Sequence, residues 1–112
     1  TMPYAFVKLN IDGKDFIGTD YGVGPVDAAL NAIQKITGQI SELRIKDYGL
    51  ASISGGSTAL CEVTIRVEDA QGNSVSAKSI GEDIVTTSVQ AVIDGINRIM
   101  LKKMFNEKQI GH

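Results

Sequence analysis

The residues of this chain that could do chemistry are few, and the first group is a glycine-rich turn, Gly22-Val-Gly-Pro25. A glycine turn that opens a helix presents backbone N–H groups, which can bind a phosphate or a carboxylate. No Lys-Ser or Lys-Thr follows as in a Walker loop, the third glycine of a dinucleotide fingerprint is absent, and Pro25 removes an N–H donor. The turn therefore indicates either a tight strand-to-helix connection or a small site for a carboxylate.

Three other groups of side chains have a possible chemical use. Tyr48 and Ser52 are four residues apart on a predicted strand, so they share a face and could belong to a core or wall a pocket. Cys61 falls in the inward register of the next strand, which favours a small buried hydrophobe over a reactive thiol. Residues 86–88, Thr-Thr-Ser, open a predicted helix and indicate local capping and packing of small side chains.

The residue types of a catalytic or metal site are missing. The single histidine is His112, the last residue, so no Ser-His-Asp, Cys-His or histidine-carboxylate set can be assembled. Asp12, Asp15 and Asp20 cluster at a predicted hairpin, where carboxylates are usually solvated. We therefore expect no catalytic residues and no metal ligands in this chain.

A segment that occurs twice provides the elements that position these residues. Residues 16–33 are echoed by residues 75–92, so that Gly22 falls on Gly81 and Ala32 falls on Ala91. Each copy reads as a strand, a glycine turn and a helix. The duplication predicts a pseudo-symmetric domain with two matching helix N-termini, which suits binding and pairing.

The hydrophobic periodicity predicts an α+β fold in the order β-β-α-β-β-β-α, with a mostly antiparallel sheet and two helices packed on one face. Apolar residues in opposite phase on the third strand require a bulge near Asp47. Gly95, inside the second helix, indicates a close packing partner at that point. Strands are predicted over residues 4–11, 15–21, 42–54, 59–68 and 74–80, and helices over residues 25–37, where Gly38 ends the first, and from residue 82 or 83 to 105.

The second helix has apolar residues on more than one side. Residues at spacings of three and four form its main stripe, which consists of Val85, Ser88, Val92, Ile96, Ile99 and the pair Met100 and Met104. So much apolar surface around one helix indicates contacts on two sides. The apolar residues outside the stripe are Ile84, Val89, Ile93, Leu101 and Phe105.

The bulk properties limit the partners. The 112 residues are enough for one domain, residues 1–112. The net charge is −2 and no basic run exceeds two residues, so no nucleic-acid partner is expected. No apolar stretch approaches the ~18 residues of a membrane span. One cysteine and no export signal predict a reducing cytoplasm. Because strand pattern begins almost at once, we expect a fragment of a longer chain.

Two runs of the chain, with the segments between them, resemble one known family. The runs are Gly22-Val-Gly-Pro-Val-Asp-Ala-Ala29 and Gly81-Glu-Asp-Ile-Val-Thr-Thr-Ser-Val-Gln-Ala91, and between them lie residues 43–48 and Ile53-Ser-Gly-Gly-Ser-Thr-Ala59. Together they resemble the C-terminal regulatory domain of 2-isopropylmalate synthase and of its relative citramalate synthase. The similarity covers residues 4–101.

The resemblance implies a regulatory rather than a catalytic role. The full enzymes condense acetyl-CoA with a 2-oxo acid in an upstream, metal-dependent (β/α)8 barrel, which this chain lacks, so no cofactor is expected in this domain. The family's regulatory domain forms a homodimer and binds the end-product amino acid near the dimer interface. That effector is leucine in 2-isopropylmalate synthases and isoleucine in citramalate synthases.

Carried over by position, the resemblance also implies a set of ligand-binding residues. The family often has asparagine where this chain has Val23, and its Gly-x-Asp-Ala loop is Gly56-Ser-Thr-Ala59 here, without the acid. Three alternatives therefore stay open: a leucine sensor, an isoleucine sensor, and a structural dimerisation module without a ligand. The implied ligand-binding residues are Gly22, Val23, Gly24, Val26, Asp27, Ile45, Tyr48, Ser52, Ala59, Gly81, Asp83 and Ile84.

These residue types suit a zwitterion with an aliphatic side chain. Turn N–H groups at a helix start could bind the carboxylate. Asp27, Asp83 or backbone carbonyls could take the ammonium group, and Val26, Ile45 and Ile84 could surround the side chain. Leucine and isoleucine differ only in branching, which is worth ~1–3 kcal/mol, so the residues favour neither.

Overall fold

The computed structural model describes residues 2–11, 13–54, 56–57 and 59–110, and it confirms the α+β class and the order of the elements. The described residues fall into two compact units, one within Thr1–Glu42 and one within Leu43–His112. The predicted strand bounds agree with the structure to within two residues. The elements are β1 (Tyr4–Ile11), β2 (Lys14–Tyr21), α1 (Pro25–Ser41), β3 (Arg44–Ser54), β4 (Ala59–Glu68), β5 (Ser74–Gly81) and α2 (Ile84–Ile110).

The sequence analysis did not anticipate that the strands divide between two sheets. β1 and β2 form an antiparallel pair in the first unit, and β3, β4 and β5 form a separate antiparallel sheet in the second unit. Each sheet carries its own helix: α1 packs on β1 and β2, and α2 packs on β4 and β5. A strand pattern alone does not determine which hairpins share a sheet, because pairing partners are set by tertiary contacts.

The first unit has a small core between its hairpin and α1. Ala28, Ala32, Ile33 and Ile36 of α1 are buried, while alternate residues of β1 point toward the helix and are half-buried. A side chain at Gly18 of β2 would collide with the backbone carbonyl of Ala32, so this glycine permits the close approach of strand and helix.

Both helices are longer than their patterns predicted. The prediction that Gly38 ends α1 was wrong, because the helix continues to Ser41 and Glu42 takes the left-handed conformation, with φ of 53°, after its end. An exposed glycine inside a helix costs only about 1 kcal/mol, which the packing of the apolar face can offset. α2 extends to Ile110 rather than to residue 105.

The second unit has its core between α2 and the central strand of its sheet. Val63, Ile65 and Val67 of β4 are buried on the side that faces the helix. On α2, Ile96 and Ile99 are buried as well. A Cβ atom at Gly95 would lie 2.7 Å from Cγ2 of Val67, which confirms the predicted close packing partner.

The predicted bulge in β3 is confirmed. The register of β3 against β4 shifts between Lys46 and Gly49, and Asp47 has a φ of 54°. Because of this shift, Ile45 pairs with Val67 on the helix-facing side and Leu50 also reaches that side, opposite Val63.

Part of the apolar surface of α2 is exposed. Met104, at the C-terminal end of the main stripe, is 54% exposed. Of the apolar residues outside the stripe, Ile84, Leu101 and Phe105 are also exposed, whereas Val89 and Ile93 are half-buried. That this helix makes contacts on two sides stays a prediction. Four residues used in the sequence analysis lie outside the described residues, namely Asp12, Gly55, Thr58 and His112.

Candidate functional site

The implied ligand residues of the first unit form the turn between β2 and α1. The amide of Gly22 donates to the carbonyl oxygen of Pro3 at 3.1 Å, and the amide of Val23 donates to Oδ2 of Asp27 at 3.0 Å. Two N–H groups of the turn are therefore engaged within the unit. Among the hydrogen bonds of the described residues, none involves the amide of Gly24, and the first amides of a helix have no partner inside the helix. The donors left for a carboxylate are the amides of Gly24, Val26 and Asp27.

The two glycines of this turn have different reasons to be glycine. A Cβ atom at Gly22 would lie 2.7 Å from the Cα atom of Ala28, so packing against α1 excludes a side chain there. Gly24 is the N-cap of α1, in an extended conformation with φ of −146°, and a Cβ atom there would meet nothing within 4 Å. Val23 is 91% exposed. The turn therefore presents Val23 and Gly24 outward.

Asp27 closes the turn from inside the helix. Its carboxylate lies in the first turn of α1 and accepts the amide hydrogen of Val23, four residues earlier. A negative charge at this place also interacts favourably with the positive end of the helix. The structure thus gives Asp27 a capping role.

The implied residues of the second unit centre on the bulge of β3. The hydroxyl of Tyr48 lies 2.8 Å from Oγ of Ser88, although Tyr48 is still 38% exposed. Ser88 is fully buried. Sequence reasoning missed this pair, and the only signal for it was a serine placed on the apolar stripe of α2.

Three small residues form a row across the three strands of the second sheet. Ser52 pairs with Cys61, and Cys61 pairs with Gly81. A side chain at Gly81 would meet the hydroxyl of Thr87, a buried residue in the first turn of α2. The end of β5 therefore needs a glycine for helix packing, as the end of β2 does.

The second unit does not bring all its implied residues together. Ile45 and Ser52 are seven residues apart on β3, which at about 3.3 Å per residue separates them by roughly 20 Å. Ala59 begins β4, opposite Ser54, at the same end of the sheet as Ser52. One amino acid could contact the row of small residues or Ile45, but not both.

Asp83 caps α2, and Ile84 is exposed beside it. Oδ2 of Asp83 accepts the hydroxyl hydrogen of Thr86 at 2.5 Å and its amide hydrogen at 2.9 Å. These two hydrogen bonds hold the pKa of the Asp83 carboxyl below its usual value. Both carboxylates that we considered for an ammonium group therefore already cap helices.

A separate groove lies elsewhere on the second unit. Its volume is about 440 Å³, and it does not include the implied ligand residues. Nε of Arg66 lies 3.6 Å from Oδ2 of Asp47. Arg98 donates to the backbone oxygen of Ser76, so both arginine side chains of the groove have partners within the unit. Its lining includes Asp47, Thr64, Arg66, Ser76, Lys78 and Arg98.

The described residues contain neither a metal site nor a membrane-spanning helix. No group of three or more His, Cys, Asp or Glu side chains is placed to hold a metal ion. No helix in the described part of the chain is long and apolar enough to cross a membrane.

Known proteins resemble this chain over most of its length. The profile of the family described as LeuA allosteric (dimerisation) domain matches residues 1–100. A 2-isopropylmalate synthase of Methanocaldococcus jannaschii is 44% identical over 102 residues, which are 91% of this chain and 19% of that protein. A probable 2-isopropylmalate synthase of Methanosarcina mazei is 42% identical over 101 residues, 90% of this chain and 20% of that protein.

A second group of relatives carries a different name. The (R)-citramalate synthase of Methanocaldococcus jannaschii is 39% identical over 100 residues, which are 88% of this chain and 20% of that protein. The chain thus spans about a fifth of the length of the curated relatives it matches.

Proposed function

The chain belongs to the LeuA allosteric (dimerisation) domain family, and we propose that it is the regulatory domain of a 2-isopropylmalate synthase, which dimerises and binds leucine as a feedback inhibitor. The observation that carries the proposal is the family match over residues 1–100, together with relatives named 2-isopropylmalate synthase at 42% and 44% identity. Feedback inhibition requires leucine to favour one of two arrangements of the whole enzyme.

The turn of the first unit supports a role in carboxylate binding. The amides of Gly24, Val26 and Asp27 are at the positive end of α1, where an anion is stabilised. The exposed Val23 and the open space at Gly24 leave this end accessible. Because the Asp27 carboxylate already accepts a hydrogen bond, backbone carbonyls are the better acceptors for the ammonium group.

The exposed ring of Tyr48 and the side chain of Ile84 support contact with an aliphatic side chain in the second unit. Burial of one leucine side chain against such groups stabilises a complex by about 1.5–3 kcal/mol. The Ser88 hydroxyl fixes the Tyr48 ring at one end, so the ring is preorganised for this contact.

The chemistry of the whole enzyme belongs outside this chain. This domain is proposed to hold no cofactor of its own. We assign the metal and acetyl-CoA to a catalytic domain beyond this chain, and we place the enzyme in the cytoplasm.

One alternative is the isoleucine-sensing domain of a citramalate synthase. It is favoured by the citramalate synthase relative at 39% identity, a value close to those of the 2-isopropylmalate synthases. A second alternative is a structural dimerisation module, favoured by the use of Asp27, Asp83 and the Val23 amide in helix capping.

The three alternatives all predict a dimer, and they differ in how amino acids change the thermal unfolding of the chain. Light scattering gives the mass of the chain in solution, and we expect a dimer. A ligand at 100 times its Kd stabilises the folded state by about 2.7 kcal/mol, so leucine should raise the Tm and isoleucine should raise it less. A dimer whose Tm responds to neither amino acid would identify the structural module.

A further inference from the structure

The groove on the second unit opens on the side of its sheet that faces away from α2. Ile65 and Ala77 are buried on the helix side. Because successive side chains of a strand point to opposite faces, the residues on either side of these two point away from the helix. All four of them line the groove. They are Thr64 and Arg66 on β4, and Ser76 and Lys78 on β5.

Three cationic side chains come together in this groove. Arg66 lies directly opposite Ser76 on β5, and Lys78 lies directly opposite Thr64 on β4. Arg66 and Lys78 are therefore diagonal neighbours across the two strands, at a distance of roughly 7–8 Å. Arg98 reaches the outer edge of β5 from α2, where it donates to the backbone oxygen of Ser76. Like charges this close repel each other, so a bound anion would stabilise the arrangement.

The hydroxyl groups on this face of the sheet are open to a ligand. Among the described residues, no hydrogen bond is made by the hydroxyl of Thr64 or by that of Ser76. Gly49 lies opposite Thr64 on β3, and a Cβ atom at Gly49 would lie 2.7 Å from Oγ1 of Thr64. The glycine thus leaves this hydroxyl uncovered on the side of β3. The groove, at about 440 Å³, has the size of a site for a small molecule.

One carboxylate in the lining, that of Asp47, faces the three cations. Its Oδ2 lies 3.6 Å from Nε of Arg66, and Nζ of Lys78 lies 3.8 Å from the carboxylate of Glu62, outside the groove. Ion pairs between side chains as exposed as these contribute little to stability. A guanidinium group has five N–H donors, and these contacts engage only one nitrogen each of Arg66 and Arg98. Three cations and one carboxylate give the lining a charge of +2, whereas the whole chain has a net charge of −2.

We propose that this groove binds a small dianion whose charge is carried by carboxylate or phosphate oxygens. A charge of −2 balances that of the lining. The planar guanidinium groups of Arg66 and Arg98 donate paired hydrogen bonds to such oxygens, and the two hydroxyls add neutral donors. The site is separate from the proposed leucine site, because the groove includes none of the implied ligand residues.

Heteronuclear NMR of the 112-residue chain, with inorganic phosphate and with malonate as the probes, tests this site. Sodium chloride keeps the ionic strength constant, because salt alone screens surface charges. We expect saturable shifts of the amides of residues 64–66 and 76–78 and of the Nε–H signals of Arg66 and Arg98. A response to phosphate alone would assign the ligand to the phosphates, and a response to malonate alone would assign it to the dicarboxylates; either supports the site. Failure of both anions to saturate these signals would overturn the proposal.

Two substitutions of opposite effect separate a specific site from general attraction of anions. Arg66→Gln removes a charged donor and should weaken anion binding by roughly tenfold or more. Asp47→Asn removes the competing carboxylate and should tighten binding severalfold, since asparagine tolerates the φ of 54° at this position. The matched control is Lys35→Gln, which removes one positive charge from the first unit, outside the groove, and should leave binding unchanged. Equal losses of affinity in Arg66→Gln and Lys35→Gln would identify an effect of net charge and overturn the proposal.

Discussion

The hydroxyl of Tyr48 lies 2.8 Å from the hydroxyl of Ser88, and this hydrogen bond joins the bulge of β3 to the buried face of α2. α2 packs mainly on β4 and β5, so the bond ties the third strand of the sheet to the helix. Tyr48 is also the one aromatic residue of the implied ligand set and is 38% exposed, which connects the stability of the second unit to its proposed contact with an effector.

Removal of either hydroxyl should lower the stability of the fold. We expect Tyr48→Phe and Ser88→Ala each to reduce the free energy of unfolding by about 0.5–1.5 kcal/mol, the net value of a typical hydrogen bond. The double variant should cost less than the sum of the two, as measured by urea unfolding. Tyr4→Phe, on an exposed ring, is the control and should be neutral. Additive effects of the two single changes would mean that the hydroxyls do not interact.

Two helical glycines should respond in opposite directions to alanine. At Gly95 an added Cβ atom would lie 2.7 Å from Val67 and 2.9 Å from Ile65, and such overpacking costs about 1–3 kcal/mol, more than the gain in helix propensity. At Gly38 the added atom meets nothing within 4 Å, so Gly38→Ala should stabilise the fold by up to about 1 kcal/mol. Thermal unfolding of both variants checks this. A stabilised Gly95→Ala variant would contradict the packing of α2 on β4.

The comparison of these two glycines shows what the sequence could predict. A close contact at Gly95 was predicted because a glycine inside a long apolar stripe needs a reason. Gly38 was interpreted as the end of a helix, because the sequence does not show how the residues after it pack. The helix continues to Ser41. Element types follow from local periodicity, whereas helix ends and the division of strands between two sheets depend on tertiary contacts that no local pattern contains.

The glycines of the first turn separate packing from ligand binding. Gly22→Ala should lower the free energy of unfolding by more than about 1 kcal/mol, because its Cβ atom would overlap the backbone of α1. Gly24→Ala should change stability by only a few tenths of a kcal/mol, since its space is open and its φ suits any residue. If the turn binds the leucine carboxylate, Gly24→Ala should weaken leucine binding in a fully folded protein. Unchanged affinity in Gly24→Ala would remove this turn from the site.

Asp69, in the hairpin loop between β4 and β5, should make the fold less stable in acid. Burial alone would raise the pKa of Asp69, but hydrogen bonds from the side chain and amide of Asn73 and the amide of Gln71 outweigh it and lower the pKa below the ordinary 3.8. A carboxyl whose pKa is lowered by folding stabilises the fold at any pH above its pKa in the unfolded chain. This contribution is lost as the pH falls through the pKa of the folded state. Asp69→Asn should therefore flatten the fall in stability between about pH 5 and pH 2. An unchanged acid limb in urea unfolding would contradict this role.

The site was less predictable than the fold. The bulge near Asp47 followed from a phase change in β3, but the partner of Tyr48 did not, because Ser88 is 40 residues away and reads as an ordinary small helix residue. Asp27 and Asp83 were correctly placed at the starts of helices. The residue type alone did not distinguish an aspartate that caps a helix from one that binds the ammonium group of a ligand. The implied ligand-binding set stays a prediction.

Calorimetric titration of the 112-residue chain with leucine, isoleucine and valine tests the proposed function most directly. The account predicts binding of leucine with micromolar affinity, weaker binding of isoleucine by roughly tenfold or more, and the weakest binding of valine. Tighter binding of isoleucine would contradict the assignment to 2-isopropylmalate synthase in favour of citramalate synthase. No heat of binding from any of the three would contradict the sensor itself and leave the structural dimerisation module.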